Sequence, residues 1–320
     1  MNDLLEKVPF IDTQVWKVKH NSSLHQEANL FIHTVWGTLR NGQAPPIFPG
    51  PQPTSIARRH LPLLKQNQYF VCEKTDGTRY GLICFMSDGK KMCLLVNRAL
   101  DMYLMPLNMP RSAYKGTFLD GELVKLKSSS CEATDPPTWN FVVYDGVVIS
   151  GEHIGGLTLE HRLGVCNKFA TGILRTAKDL IKNIYVKKFW GLQDLDNLLT
   201  HEFPYETDGL VFTPNLEPIR VGTHDTLFKW KPRDKNTVDF QVKGKRLHVQ
   251  EKGLLIYECD TDQDYPDDTI VECKYIPHLR KWVPIGVRTD KHHPNNRRTF
   301  YKTLENIRED IQLNEFPRKV

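Results

Sequence analysis

The chain has 320 residues, 43 basic against 38 acidic, with 40% apolar and 25% charged side chains. That is the make-up of a globular protein of about two domains, and it excludes a disordered or collagen-like chain. A net charge of +5 suits an anionic partner without demanding one, and no apolar run approaches a membrane span or a signal peptide.

Residues 21–37, "NSSLHQEANLFIHTVWG", have helical spacing, with Ser23 and Gln26 as a capping box and Gly37 as a stop. The Pro/Gly-rich "NGQAPPIFPGPQP" reads as an extended connector. Residues 69–73, 79–86 and 91–97 then predict a meander, with turns at Thr75–Gly77 and Ser87–Gly89. "GTFLDGELVKL" and "WNFVVYDGVVI" predict two more strands. "TLEHRLGVCNKFATGILRTAKDL" and "LQDLDNLLTHEF" return to helical spacing, and "TDGLVFTP" and "THDTLFKWK" to strands. The fold class expected is α+β with mostly antiparallel sheet. After "KPRDKNTVDF", short strands recur about every ten residues around the acidic loop "DTDQDYPDD", the texture of a small barrel. Three segments follow: a larger domain over 1–235, the barrel over 236–302, and a final helix over 303–320 that packs back on the first domain.

Lys74 ends an apolar strand and is followed at once by Asp76–Gly77 and Arg79. A lysine there is rigidly aimed, but its ammonium becomes a nucleophile only once deprotonated, through burial or neighbouring positive charge. Asp120 and Glu122 in "FLDGELV" share a strand face, as do Lys229 and Lys231 in "LFKWKP". Paired carboxylates suit a metal or sugar hydroxyls, whereas paired lysines in a cleft need an anion. Asp208 in "TDGLVF" adds a carboxylate before a strand. Taken singly, each also fits a solvated strand face. Seven cysteines without CxxC pairs, some inside apolar strands, predict buried free thiols, a reducing compartment and no zinc site.

In their order, "EKTDGTR", "FLDGELV", "FVVYDGVVISG", "TDGLVF", "LFKWKP" and "GVRTDKHHPNNR" resemble the six collinear motifs of the covalent nucleotidyltransferases. That superfamily holds the mRNA capping guanylyltransferases and the ATP-dependent DNA and RNA ligases. "FPGPQPTSI", "TDGLVF" and the approach to "RTDKHHPNN" resemble the capping branch, over about residues 45–310. The compact length is closest to the stand-alone guanylyltransferases of large algal DNA viruses and of fungi. The alternatives are an ATP-dependent polynucleotide ligase and a non-catalytic RNA-binding relative.

The resemblance implies a two-domain enzyme with GTP as substrate, a divalent cation (Mg²⁺ or Mn²⁺) and 5′-diphosphate RNA as acceptor. It implies that Lys74 attacks the α-phosphorus of GTP to give a lysyl-GMP phosphoramidate, while the Asp76–Gly77 turn lets backbone approach the nucleotide. Arg79 would bind the ribose, Arg98 the phosphates, and Glu122 the ribose or metal, whereas Asp120 would shape the turn. Tyr144 would stack on guanine, for roughly 1–3 kcal/mol. Lys188, or Lys187 if the motif slips by one, would read guanine O6. Asp208 would hold the cation, and Lys229 and Lys231 would contact the α-phosphate. The barrel would be an oligonucleotide-binding (OB) fold acting as a lid. Its Arg288, Asp290 and Lys291 would engage the β- and γ-phosphates in the first half-reaction, with Asn295 and Asn296 as the motif's polar tail. A separate triphosphatase, a cap methyltransferase and RNA polymerase would be partners of a monomer, with no membrane. The location would be the nucleus, or a host nucleus or cytoplasmic viral factory.

Overall fold

The computed structural model describes residues 3–127, 138–174, 180–289 and 291–318. The chain forms two units, Met1–Thr54 with Asn67–Phe228, and Ser55–Gln66 with Lys229–Val320. The second unit recruits a short stretch from far upstream.

In chain order come β1 (Leu5–Phe10), β2 (Thr13–Val18), α1 (Ser23–Val35), β3 (Gln52–Ser55) and α2 (Leu61–Gln66). Next are β4 (Tyr69–Thr75), β5 (Thr78–Ser87), β6 (Lys90–Val96), β7 (Met102–Leu104), β8 (Thr117–Lys125), β9 (Trp139–Ile149) and β10 (Glu152–His153). Then follow α3 (Leu159–Ala170), β11 (Ile181–Val186), β12 (Trp190–Gly191), α4 (Leu195–Leu199), β13 (Thr207–Pro214) and β14 (Thr223–Trp230).

The larger sheet runs β1-β2-β7-β6-β5-β8-β9-β10, and β11 joins β9 in parallel; the remaining pairs are antiparallel. Its central strands read as continuous apolar runs because both faces are covered. Leu82, Cys84, Leu119 and Phe141 pack with Cys166 and Phe169 of α3. Ile83, Phe85, Leu94 and Phe118 pack with Leu24, Ala28 and Ile32 of α1. The N-cap of α1 is Ser22, whose hydroxyl accepts from His25 N at 3.2 Å, not Ser23; Gln26 instead donates to Asn21 O.

A second sheet runs β12-β4-β13-β14-β3. The expected meander over β4, β5 and β6 therefore does not form: β5 and β6 pair, but β4 lies in the other sheet. After Thr75 the chain keeps its β13 partner for one more bond, Asp76 N to Glu206 O at 2.9 Å, and then crosses over. Gly77 fits against β8 so closely that a Cβ would lie 2.6 Å from Leu123 O. Only glycine passes there.

In the second unit β15 (Thr237–Lys243), β16 (Arg246–Glu251), β17 (Leu254–Asp260), β18 (Ile270–Ile276) and β19 (Lys281–Val287) form an antiparallel sheet ordered β17-β16-β15-β18-β19. Among the described residues no pairing joins β17 to β19, so the closed OB barrel is not confirmed; the sheet is an open path. The period-2 residues Val238, Phe240 and Val242 meet Phe300, Leu304 and Ile307 of α5 (Arg297–Glu309). α5 covers this sheet. Asn296 caps it, accepting from Thr299 N at 2.8 Å. The upstream stretch docks on the same helix: Asn306 Nδ2 donates to Ile56 O at 2.6 Å and Arg58 N to Glu309 Oε2 at 2.8 Å.

Burial lowers the pKa of His25, His33, His60 and His224 below the ordinary 6.5. The unfolded chain then binds more protons than the folded one near and below that value, so this contribution is full above it and lost as pH falls. Thermal melts should show a midpoint that drops between pH 7 and pH 5. A midpoint that rises on acidification would contradict this accounting.

Candidate active site

Lys74 lies second from last on β4, and its partner strand is irregular at that point. Thr75 pairs with Thr207 and Lys74 with Gly209, so Asp208 is the extra residue of a bulge. Bulges re-aim side chains. Here Asp208 Oδ1 accepts from Lys74 Nζ at 2.7 Å, with the two side chains 24% and 10% exposed. The amine is therefore half of an ion pair. The charged group in contact with it in the first unit is an anion.

Glu122 sits opposite Arg79 on β8, and its carboxylate turns back to the loop after Lys74. It accepts from Thr75 Oγ1 at 2.6 Å and from Gly77 N at 3.2 Å. Asp76 is exposed at the tip of that loop. Asp120 does not shape a turn. It lies within β8, fully buried, and accepts from Arg79 Nε at 2.9 Å and Nη2 at 2.5 Å. Arg79 also donates to Pro51 O at 2.7 Å, and its guanidinium lies over the Phe48 ring at 5.2 Å and the Tyr144 ring at 5.8 Å. Burial alone would lower the pKa of Arg79, but Asp120 more than offsets it, so the cation persists. Arg98, exposed, donates to Gln52 Oε1 at 2.7 Å. The "FPGPQ" segment thus holds both arginines in place. A Cβ on Gly50 would lie 2.5 Å from Arg79 Nη2.

Tyr144 marks a second bulge: Asp120 pairs with Asp145 and Gly121 with Val143, leaving the tyrosine between them. Burial pushes its phenol well up, so it stays protonated. Asp145 is fixed from behind by Arg162 of α3, at 2.8 and 2.9 Å, and Arg162 also donates to Leu157 O and Glu217 O.

The two lysines at 187 and 188 differ in burial. Lys187 is buried and donates to Glu73 O at 3.0 Å and Thr75 Oγ1 at 3.1 Å, the residues either side of Lys74. Lys188 is exposed and lies 3.4 Å from the centre of the Trp190 ring. The inward lysine is Lys187.

The remaining expected residues lie in the second unit. Lys229, on β14, and Lys231, just past it, are half-buried. Arg288 Nη1 donates to Asp239 Oδ1 at 3.1 Å, and Lys291 Nζ bonds the other oxygen of the same carboxylate. Asp290 lies outside the described residues. Asn295 ties this segment to β15, giving and accepting backbone-directed bonds with Asp239 at 2.8 and 2.9 Å. The described residues contain no group of three or more His, Cys, Asp or Glu placed to hold a metal ion, and no helix long and apolar enough to cross a membrane.

The model of the mRNA capping enzyme catalytic domain matches residues 12–233, and that of the capping enzyme C-terminal domain residues 233–316. The chain belongs to the mRNA capping enzyme family. It is 29% identical over 263 residues to the mRNA-capping enzyme subunit alpha of Neurospora crassa, covering 75% of this chain and 63% of that protein. It is 29% identical over 300 residues to the mRNA-capping enzyme of Danio rerio, covering 82% of this chain and 48% of that one. The chain thus spans about half to two-thirds of the length of these relatives. A mycobacterial DNA ligase D complexed with ATP and MES aligns over 76% of this chain and 95% of that one, at 15% identity and a TM-score of 0.44.

Sequence reasoning missed Arg162 and Asp239. Arg162 had a signal: it falls on the inward face of α3 with Leu159, Cys166 and Phe169, where an unpaired arginine would be costly. Asp239 had none, since its partners are some fifty residues away.

Two charge pairs of the first unit, Arg79–Asp120 and Lys74–Asp208, should differ in their contribution to stability. Asp120→Ala strands a buried cation and should cost about 3–5 kcal/mol. Lys74→Ala breaks a partly solvated pair and should cost about 1 kcal/mol or less. Urea denaturation of both variants checks this, and equal losses would contradict the assignment of Asp120 as the buried brace.

Proposed function

We propose that the chain is a GTP:mRNA guanylyltransferase. One observation carries the reading: in a capping-family chain, an amine on a rigid strand end is aimed by a bulge carboxylate, Lys74 Nζ to Asp208 Oδ1 at 2.7 Å. Once released from Asp208 and deprotonated, Lys74 attacks the α-phosphorus of GTP. A P–N bond forms, the bond to the bridging oxygen breaks, and pyrophosphate leaves. A terminal phosphate oxygen of 5′-diphosphate RNA then attacks the same phosphorus. The P–N bond breaks, the lysine regains its proton, and a GpppN end is released.

The other residues divide the substrate between them. Tyr144 presents a ring to guanine, with Lys187 rather than Lys188 toward the base edge. Arg79 and Glu122 serve the ribose, Asp76 and Gly77 bring backbone to the nucleotide, and Arg98 meets phosphate. Lys229 and Lys231 supply positive charge for the α-phosphate. Arg288, Asp290 and Lys291 serve the departing pyrophosphate, for which phosphate must displace Asp239 from two of them.

Asp208 and Glu122 offer carboxylate oxygens too few for a closed metal cage. They fit a hard cation that takes most of its ligands from water and substrate phosphates. Held by Asp208, with Glu122 nearby, Mg²⁺ or Mn²⁺ would neutralise phosphate charge.

Incubation with [α-³²P]GTP and a divalent cation should give an acid-labile, alkali-stable protein adduct, absent from Lys74→Ala. Labelling by [α-³²P]ATP alone would overturn the reading in favour of a ligase. Arg288→Ala should slow adduct formation from GTP more than GMP transfer from preformed adduct; equal losses in both steps would reject its assignment to pyrophosphate.

A further inference from the structure

β4 carries two charged side chains, Lys74 and Glu73, and the chemistry above uses only the first. Glu73 is 3% exposed. Its Oε1 accepts from the Tyr205 hydroxyl at 2.9 Å and faces Lys187 Nζ at 3.3 Å. Its Oε2 is buried with no hydrogen-bond partner among the described residues. A buried carboxylate with one oxygen idle costs free energy, so something must hold it short of a full ion pair with the lysine beside it.

The lysine is closely held. Lys187 N donates to Val143 O at 2.7 Å, which extends the parallel ladder of β11 on β9 and fixes the root of the side chain. Two of its three ammonium protons serve Glu73 O at 3.0 Å and Thr75 Oγ1 at 3.1 Å. The third faces Glu73 Oε1, and that contact is the longest of the three. The oxygen it faces is shared with Tyr205, itself buried at 4% exposure.

We propose that Tyr205 and Glu73 are positioning residues for Lys187: the phenol holds back one carboxylate oxygen, so that one lysine N–H stays loosely engaged and can turn to the 6-oxo group of a bound purine. The inference rests on the guanylyltransferase reading, in which Lys187 meets the base. Without the phenol, the carboxylate closes on the ammonium and takes its third proton. Without the carboxylate's charge, the buried ammonium loses its counter-ion. Burial by itself would lower the pKa of Lys187, and the surrounding Cys72, Glu73 and Glu122 outweigh it. Either change weakens recognition of a 6-oxo purine and leaves the attack on phosphorus alone.

The test is single-turnover adduct formation by wild type, Tyr205→Phe and Glu73→Gln with three nucleotides. GTP and ITP carry the 6-oxo group, and 2-aminopurine riboside triphosphate lacks it. In both variants the half-saturating concentrations of GTP and ITP should rise together by about tenfold, the effect of weakening one charged hydrogen bond. The limiting rate should hold, and labelling by the 2-aminopurine nucleotide should not change. Equal losses with all three nucleotides, or an unmoved ratio of GTP to 2-aminopurine nucleotide, would overturn the proposal. So would a collapse of the melting temperature in both variants, which would make the pair a purely structural one. A wild type that forms no adduct with GTP defeats the proposed function itself, whereas a wild type that labels normally beside variants with an unmoved ratio defeats this inference alone.

Discussion

The contact between Lys74 and Asp208 is the constraint around which the first unit is arranged. It exists because β13 carries one residue more than β4 can pair, and the surplus carboxylate is turned onto the amine. A regular ladder would have sent Asp208 and Lys74 to positions set by the pleat alone. The bulge breaks that rule at one point and converts a strand-end lysine into an oriented group. Its other neighbours follow from where the chain goes next: Thr75 and Gly77 meet Glu122 because the backbone crosses to the larger sheet there.

Around that contact the charges are braced by burial and pairing. Arg79 is held by Asp120, Pro51 O and two rings; Asp145 is held by Arg162. Such pairs add little net stability, because desolvation takes back most of the attraction. Their effect is on shape, since an arginine fixed by two or three acceptors can present its remaining surface in only one direction. The same logic operates separately in the second unit, where Asp239 gathers Arg288 and Lys291, and Asn295 binds their segment to β15.

Much of this was legible in the sequence. The α+β class and the central strands followed from apolar alternation, and the family from motif order, whereas β1, β2, β3, β7, β10, β11 and β12 went unread. What the sequence concealed was pairing. The apolar run before Lys74 and the one after it look like two arms of a hairpin, yet they belong to different sheets. The chain crosses between the sheets at Gly77, packed so tightly on β8 that a Cβ would lie 2.6 Å from Leu123 O, which no pattern of side chains reports. The resemblance implied that Asp120 shapes a turn, whereas it is buried within β8, on the strand face that its spacing from Glu122 indicated. Lys187 and Lys188 are indistinguishable by type, and only strand direction separates the inward one from the outward one. Turn spacing suggested closure of the C-terminal strands, but spacing sets strand length and does not dictate whether the edges meet.

A lysine that rests as half of an ion pair is also chemically quiet. Cyanate, reducing sugars and reactive acyl species modify unprotonated amines, and a cation shielded by a carboxylate gives them no lone pair. The arrangement therefore separates safekeeping from activation. On the proposed chemistry, the group that would bond to phosphorus waits against a carboxylate, and an occupant able to draw Asp208 away would free it.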